Sequence, residues 1–472
     1  MLLTILTLSH LALFSAVTLR VLARPQLNTS TRTAWVFLLL ALPFLGAVAY
    51  LLIGEIYFGK GERAKASRVM HRVGDHVVAS GEPRNAKKWG QASAFAASIN
   101  GFGVCGGNRS ELLDSPAGAR QRMLDDMDAA RESINVLYYI WLDDDTGRAV
   151  AEALIRAAGR GVRCRAMVDA LGSRRFIASA TWRKLQQAGI HTVVALPIDK
   201  PWQVMFQRRL DLRNHRKITV IDGRICHCGS QNCADAAFLP KRRFAPWVDI
   251  MVRLEGPVAL QMNLLFAQDW LRYRDEDVTH FTREPPVFED GFGAQVVGTG
   301  PMVNRNVTAQ LFSRLIFAAR EELIITTPYF VPGEVVCAAL LGAAFSGVKV
   351  TLIVPHRNDS GFVGHASRSY YPLLTRAGVT IAEYQGGLLH AKILTVDGRM
   401  TFMGSSNLDI RSFDLNFEND VLLHDPQLSA AIRARQLAYV AQSVLIDPKE
   451  VRRWPVYKRI WLNAFAALGP LL

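Results

Sequence analysis

The chain is short of cysteine and short of acid. Six cysteines in 472 residues are too few for a disulfide scaffold. Asp and Glu number 41 against 55 Lys and Arg, a formal net charge of +14. A negatively charged partner is therefore expected, either nucleic acid or an acidic lipid surface. The basic residues interleaved with aromatics that mark a nucleic-acid face are missing, as is any regulatory module. A hydrophobic fraction of 50% and a mean hydropathy of +0.12 exclude a disordered or low-complexity chain. The length suits two or three domains rather than one core.

Long uncharged apolar runs are confined to the start. Leu2 to Leu19 and Ala34 to Gly54 carry no charged residue, and the second is long enough to cross a bilayer, which takes roughly 20 apolar residues. Pro43, Gly46 and Gly54 are compatible with a membrane helix. No Lys or Arg precedes the first run and no small-x-small cleavage site follows it, which argues against a cleaved signal peptide. A transmembrane helical hairpin is thus expected over 1–58, followed by a basic linker at 59–94. Arg20, Arg24 and Arg32 surround the connection, while Lys60, Arg63, Lys65, Arg68 and Arg72 follow the second run. The positive-inside rule puts the connection outside and the rest in the cytoplasm. At the far end, 447–472 combines Arg452, Arg453, Lys458 and Arg459 with Trp454, Tyr457, Trp461 and Phe465. That composition fits an amphipathic helix on anionic lipid, and equally a last helix docked on the core.

Between these ends apolar runs alternate with helical patterns, as in α/β proteins, and the pattern repeats. His215-Arg-Lys-Ile-Thr-Val-Ile-Asp222-Gly-Arg returns as His390-Ala-Lys-Ile-Leu-Thr-Val-Asp397-Gly-Arg, and Gly229-Ser-Gln-Asn232 returns as Gly404-Ser-Ser-Asn407, all 175 residues apart. Upstream, SINVLYYIW (133–141) is echoed by ELIITTPYF (322–330), and RGVRCRAMVD (160–169) by SGVKVTLIVP (346–355). The chain is accordingly divided into a first half at 95–280 and a second at 290–446, joined by a charged, Pro-containing linker.

Each motif reads first as a hairpin, because Asp-Gly separates two short apolar runs. Residues two apart in a strand share a face. His215 with Lys217 and Ser230 with Asn232 therefore present one surface, as do His390 with Lys392 and Ser405 with Asn407. Asp222 and Asp397, at the turns, are better placed to fix the hairpin than to touch substrate. An imidazole beside an ammonium, a hydroxyl and an amide suits attack on, or proton donation to, a tetrahedral phosphate diester. Lys supplies a point charge to the non-bridging oxygens, and Ser and Asn supply hydrogen bonds. Two copies would put one histidine on each side of the phosphorus.

The paired H-x-K-x(4)-D-x(6)-G-S-x-N pattern resembles the phospholipase D superfamily. YYIWLDDDTG (138–147), LRNHRKITVIDG (212–223), TPYFVPGE (327–334), GSSNLDIRSFDLNFEND (404–420) and the amino-terminal PFLGAVAYLLIGEIYFG resemble bacterial cardiolipin synthases. The resemblance implies an α/β fold of two similar sheet-and-helix halves related by a pseudo-two-fold axis. It also implies a phosphohistidine intermediate and no metal or cofactor. The implied reaction joins two phosphatidylglycerol molecules into cardiolipin with release of glycerol, at a bacterial inner membrane crossed more than once, with the catalytic part cytoplasmic. Its catalytic motif comprises His215, Lys217, Asp222, His390, Lys392 and Asp397, with Ser230, Asn232, Ser405 and Asn407 on the phosphate. His215 would be the nucleophile and His390 the acid. An acid shortly after each motif would orient an imidazole: Glu418, and Asp249 as its first-half counterpart.

Other features have plainer readings. Cys226 and Cys228 flank His227, with Cys233 nearby, but the spacing matches no zinc site, so a buried structural pair is expected. Asp143-Asp144-Asp145 reads as a polar strand end or a helix start, ahead of Thr146-Gly147, rather than a cation site. Arg208, Arg209, Arg213 and Arg216 stand before and within the first motif, suited to an anionic headgroup. Four rivals share the motif: a hydrolytic phospholipase D, a phosphatidyl transferase using another lipid, a nuclease, and a non-catalytic scaffold. The membrane end argues against nucleic acid, and two complete motifs argue against a scaffold.

Overall fold

The computed structural model describes residues 2–25, 27, 29–76, 86–199, 209, 211–302 and 307–469. Its centre is one sheet, built twice over in the same way. In the first repeat the apolar runs Ser133–Tyr138, Arg163–Asp169 and His191–Ala195 lie parallel. They are covered by the helix Asp145–Gly159, whose Val150, Ala151, Leu154 and Ala157 are buried at helical spacing. On the other flank of Ser133–Tyr138 the order continues antiparallel through Lys217–Ile221, Ile225–Gly229, Met251–Glu255 and Cys105–Leu112.

The second repeat has the same plan. Glu322–Thr326, Lys349–Pro355 and Thr380–Tyr384 are parallel. Ile393–Val396, Met400–Gly404, Asn416–His424 and Phe292–Thr299 follow antiparallel. Cys105–Leu112 then pairs antiparallel with Phe292–Thr299, so the described strands merge into one sheet of 16 strands. Across its middle lies Pro257–Trp270, a helix buried on nearly every side. Such a helix has no solvent face, so apolar residues occur all round it, and its buried polar ones, Gln261, Asn263 and Asp269, are each hydrogen-bonded.

The amino-terminal end departs from the expected hairpin of membrane spans. Among the described residues no helix is long and apolar enough to cross a membrane. The helix Leu2–Leu22 is followed by Thr29–Ala41, a break, Pro43–Ala49 and a π-turn at Tyr50–Gly54. Pro43 has no N–H to continue the first ladder, and the backbone breaks at Leu42. The pieces still pack on one another through Val21, Trp35, Leu39 and Tyr50, and Arg20 and Arg24 both pair with Glu55. At the other end Val456–Ala467 docks on Gly361–Ser369, with Phe465 stacked on His365 and edge-on to Phe362. Its Val456, Tyr457, Ile460 and Trp461 remain exposed.

Candidate active site

Each motif is a hairpin that delivers its histidine to the sheet's edge and its aspartate to the opposite end. Asp222 and Gly223 take φ of 51° and 65°, and Asp397 and Gly398 take 51° and 61°. The turn needs a left-handed backbone, which Asp and Gly tolerate. The Asp222 carboxylate accepts from the backbone N–H groups of Arg131, Glu132 and Ser133, and Asp397 accepts from those of Arg320, Glu321 and Glu322. Seven residues of extended chain separate each aspartate from its histidine, roughly 23 Å. The two aspartates clamp the entry to the neighbouring strand.

The glycines of the second signature are required by crowding. A Cβ on Gly229 would lie 2.1 Å from the Ile250 carbonyl oxygen, and one on Gly404 2.3 Å from that of Asn419. This close approach lets Ser230 N–H donate to Ile250 O and Ser405 N–H to Asn419 O, each at 3.0 Å. It also brings each serine hydroxyl onto an acid: Ser230 Oγ donates to Asp249 Oδ1 at 2.6 Å, and Ser405 Oγ to Glu418 Oε2 at 2.5 Å. The serines expected on the phosphate thus have their protons on the two carboxylates.

The two carboxylates are exchanged between the repeats. Short parallel pairings cross the interface: Arg213 and Asn214 lie beside Asn416 and Phe417, and Leu388 and Leu389 beside Trp247 and Val248. His215 N–H donates to Phe417 O at 2.9 Å and His390 N–H to Val248 O at 2.8 Å. One residue further along, His215 Nδ1 meets Glu418 at 2.9 Å and His390 Nδ1 meets Asp249 at 2.6 Å. Each imidazole is therefore oriented by the acid of the other half.

Burial, reinforced by the Lys217 charge and opposed by Glu418, lowers His215 to about 4. Burial and Lys392 lower His390 to about 4 against the pull of Asp249. Burial raises the acids, but His390, Lys392 and Ser230 more than offset it and bring Asp249 to about 2. Glu418 likewise ends below its ordinary value through His215, Lys217 and Ser405. At neutral pH the imidazoles are uncharged and the acids ionised. The ring proton is assigned to Nδ1, which donates it to the carboxylate partner, and this leaves the Nε2 lone pair for the cavity.

Both histidines line one cavity of about 480 Å³, with Asn232 and Asn407. Lys217 Nζ donates to His215 O at 2.7 Å and Lys392 Nζ to His390 O at 2.6 Å. Burial lowers these ammonium groups to about 8 and about 7. Asn232 Oδ1 accepts from Ile140 N–H at 3.3 Å, and the buried Asn407 Oδ1 has no hydrogen-bond partner among the described residues.

Several neighbours carried no motif. Tyr139 packs edge-on to His215 with ring centres 4.7 Å apart, and Trp247 lies 4.6 Å from His390. Asn419 grips the Lys217 backbone through both amide atoms. Tyr329 and Lys241 both meet Asp359 at the cavity wall. Trp247 and Asn419 flank the two acids in sequence, the one signal that could have singled them out. Of the basic stretch, Arg213 lines the cavity, Arg209 pairs with Asp211 and Arg216 with Asp269, and Arg208 lies outside the described residues. All six cysteines are free and buried. Asp144 caps the helix that follows it by accepting from Gly147 N–H. Among the described residues no group of three or more His, Cys, Asp or Glu could hold a metal ion.

A family model described as "Cardiolipin synthase, PLD-like domain" matches residues 123–270 and 312–436, and one for a phospholipase D-nuclease N-terminal segment matches 8–55. The chain is 36% identical over 477 aligned positions to cardiolipin synthase A of Yersinia pseudotuberculosis serotype O:1b, covering 98% of this chain and 96% of the relative. Cardiolipin synthase A of Yersinia pestis matches with the same identity and coverage. Phosphatidylserine synthase of Haemophilus influenzae shares the fold at a TM-score of 0.60 and 14% identity, over 81% of this chain and 100% of that one. The exchanged histidine–carboxylate pairs thus sit in a chain that belongs to the phospholipase D-like cardiolipin synthase family.

Proposed function

We propose that the protein is a phosphatidyltransferase that makes cardiolipin from two molecules of phosphatidylglycerol. The observation that carries this is the pair of buried imidazoles in one cavity, each held at Nδ1 by a carboxylate. His215 Nε2 attacks the phosphorus of the first lipid. The bond from phosphorus to the glycerol oxygen breaks, and that oxygen takes a proton from His390. The entering phosphodiester anion raises the proton affinity of His390 and so supplies this acid form. A hydroxyl of the second phosphatidylglycerol then gives its proton to His390 and attacks phosphorus. The P–N bond to His215 breaks, and cardiolipin leaves. Two phosphatidylglycerols become one cardiolipin and one glycerol, and the enzyme is restored.

Lys217, Lys392, Asn232 and Asn407 neutralise and bind the non-bridging oxygens, while Ser230 and Ser405 fix the acids. The choice of His215 as nucleophile rests on the family resemblance. The division into halves at 95–280 and 290–446 follows the repeat. The protein works at a membrane surface: exposed Phe37, Leu40, Leu42, Phe44, Leu45 and Val48 surround the amino-terminal bend, and Tyr457, Ile460 and Trp461 face outward beside Lys458 and Arg459. Both surfaces suit a lipid interface.

The test is detergent-purified protein given phosphatidylglycerol labelled in the terminal glycerol. Cardiolipin and free glycerol should appear in equal amounts and vanish in His215→Ala and in His390→Ala. Phosphatidic acid in place of cardiolipin would make the protein a hydrolase. Full activity in either variant would refute the two-histidine mechanism.

A further inference from the structure

The catalytic residues obey the repeat, and the wall around them does not. The strand Arg163–Asp169 runs on to Arg174 and Arg175, which line the cavity, are exposed and make no ion pair with any described residue. The matching strand Lys349–Pro355 runs on to Ser360 and Gly361 at the equivalent places. Arg213 and Arg411 also line the cavity, and 175 residues away their counterparts are Leu388 and Ala236. These arginines gather on one side, since Asp169 accepts from Asn214 N–H and Arg411 donates to Asp211 O. On the other wall the charge of Lys241 is met by Asp359. A two-fold centre is thus flanked on one side by four guanidiniums, of which Arg411 is paired with Asp211 and Arg174 and Arg175 make no ion pair with a described residue.

The proposed reaction is asymmetric in the same sense. One lipid phosphate occupies the histidines, and a second anionic lipid must approach with its own phosphate intact. The lysines and amides of the motifs are committed to the first. Guanidinium groups bind phosphate through paired hydrogen bonds and keep their charge in a partly dry site. We infer that the arginine wall, with Arg174 and Arg175 at its open edge, binds the phosphate of the acceptor phospholipid and makes the enzyme select an anionic acceptor. This rests on the transferase reading above.

The experiment measures two products in one tube. Enzyme is given phosphatidylglycerol together with labelled free glycerol. Glycerol attacking the phosphohistidine returns labelled phosphatidylglycerol, a transfer that needs no second phosphate, while a second lipid yields cardiolipin. Arg174→Gln/Arg175→Gln should lower the ratio of cardiolipin to labelled phosphatidylglycerol at least ten-fold, and Arg174→Lys/Arg175→Lys should recover much of it. Both side chains are exposed, and the exchange product reports a folded catalytic centre. An unchanged ratio, whether both products fall together or neither falls, overturns the inference. Wild-type protein that forms neither product overturns the transferase reading itself, and this inference with it.

Discussion

Replacing Asp249 by Asn keeps the shape of the site and removes one charge from beneath His390. The exchange should act wherever His390 becomes an imidazolium. An imidazolium and a carboxylate about 4 Å apart attract by about 4 kcal/mol at an effective dielectric of about 20. The amide oxygen still accepts the Nδ1 hydrogen bond, worth about 1 kcal/mol. The net loss is about 3 kcal/mol, or a little over two decades in kcat. Glu418→Gln should cost a similar amount, but at His215, where the phosphohistidine carries the positive charge.

The two variants separate when the leaving group needs no proton. A p-nitrophenyl phosphodiester expels nitrophenolate without an acid, so phosphorylation of the nucleophile proceeds with His390 disabled. Rapid mixing should give one burst of nitrophenolate per site in His390→Ala and Asp249→Asn, none in His215→Ala, and one slowed by about two decades in Glu418→Gln. The same four variants should all fail to make cardiolipin at the normal rate. If Asp249→Asn tracked His215→Ala and Glu418→Gln tracked His390→Ala, the crossed pairing would be refuted. If both members of each pair exchanged behaviour together, the crossing would stand and His390 would be the nucleophile.

Three further outcomes are expected. The pH profile of kcat/KM for nitrophenolate release from the p-nitrophenyl phosphodiester, which needs no acid, should rise through about 4 as His215 loses its proton. It should fall above about 7 to about 8, where Lys392 and Lys217 lose theirs and no longer attract phosphate. Lys392→Arg should move the alkaline limb upward, and a profile flat from pH 7 to 9 in the wild type would sink this account. Gly229→Ala meets the Ile250 carbonyl at 2.1 Å, so it should cost about 1–3 kcal/mol and reduce kcat by displacing Asp249. Gly103→Ala, with nothing within 4 Å, is the control, and equal melting temperatures would contradict the crowding. Asp222→Ala leaves three backbone N–H groups without their acceptor, at about 1–3 kcal/mol. It should lower Tm while leaving the surviving enzyme's kcat within a few-fold; lost kcat at unchanged Tm would return Asp222 to the reaction.

The repeat made much of this site legible without coordinates. Identical spacing fixed which residues share a face, and the Asp-Gly turns fixed the hairpins. What spacing could not convey was contact across the repeat. Spacing gave Ser230 and Asn232 one strand face with equal claims on a phosphate, but both lie past the end of the strand Ile225–Gly229, and the approach to Asp249 commits the serine elsewhere. Glu418 stands 11 residues past its own motif, yet it serves the other histidine, because the parallel pairing of Asn416 and Phe417 with Arg213 and Asn214 carries it there. In the apolar run at 34–54, hydropathy counts side chains and does not register the helix break before Pro43, so the run folds as the separate helices Thr29–Ala41 and Pro43–Ala49.

The exchange of carboxylates has a consequence for how the two halves depend on each other. A half folded alone would keep its histidine, lysine, serine and asparagine at the same end of its hairpin. It would lack the partner at Nδ1, so the ring could adopt either tautomer and neither orientation would be held. The same pairings that deliver the acids also supply the backbone acceptors for His215 and His390 N–H. Assembly of the interface and activation of both imidazoles are therefore one event. A perturbation that loosens the Leu388–Leu389 pairing with Trp247–Val248 should disable His390 even though every residue of its own motif is intact.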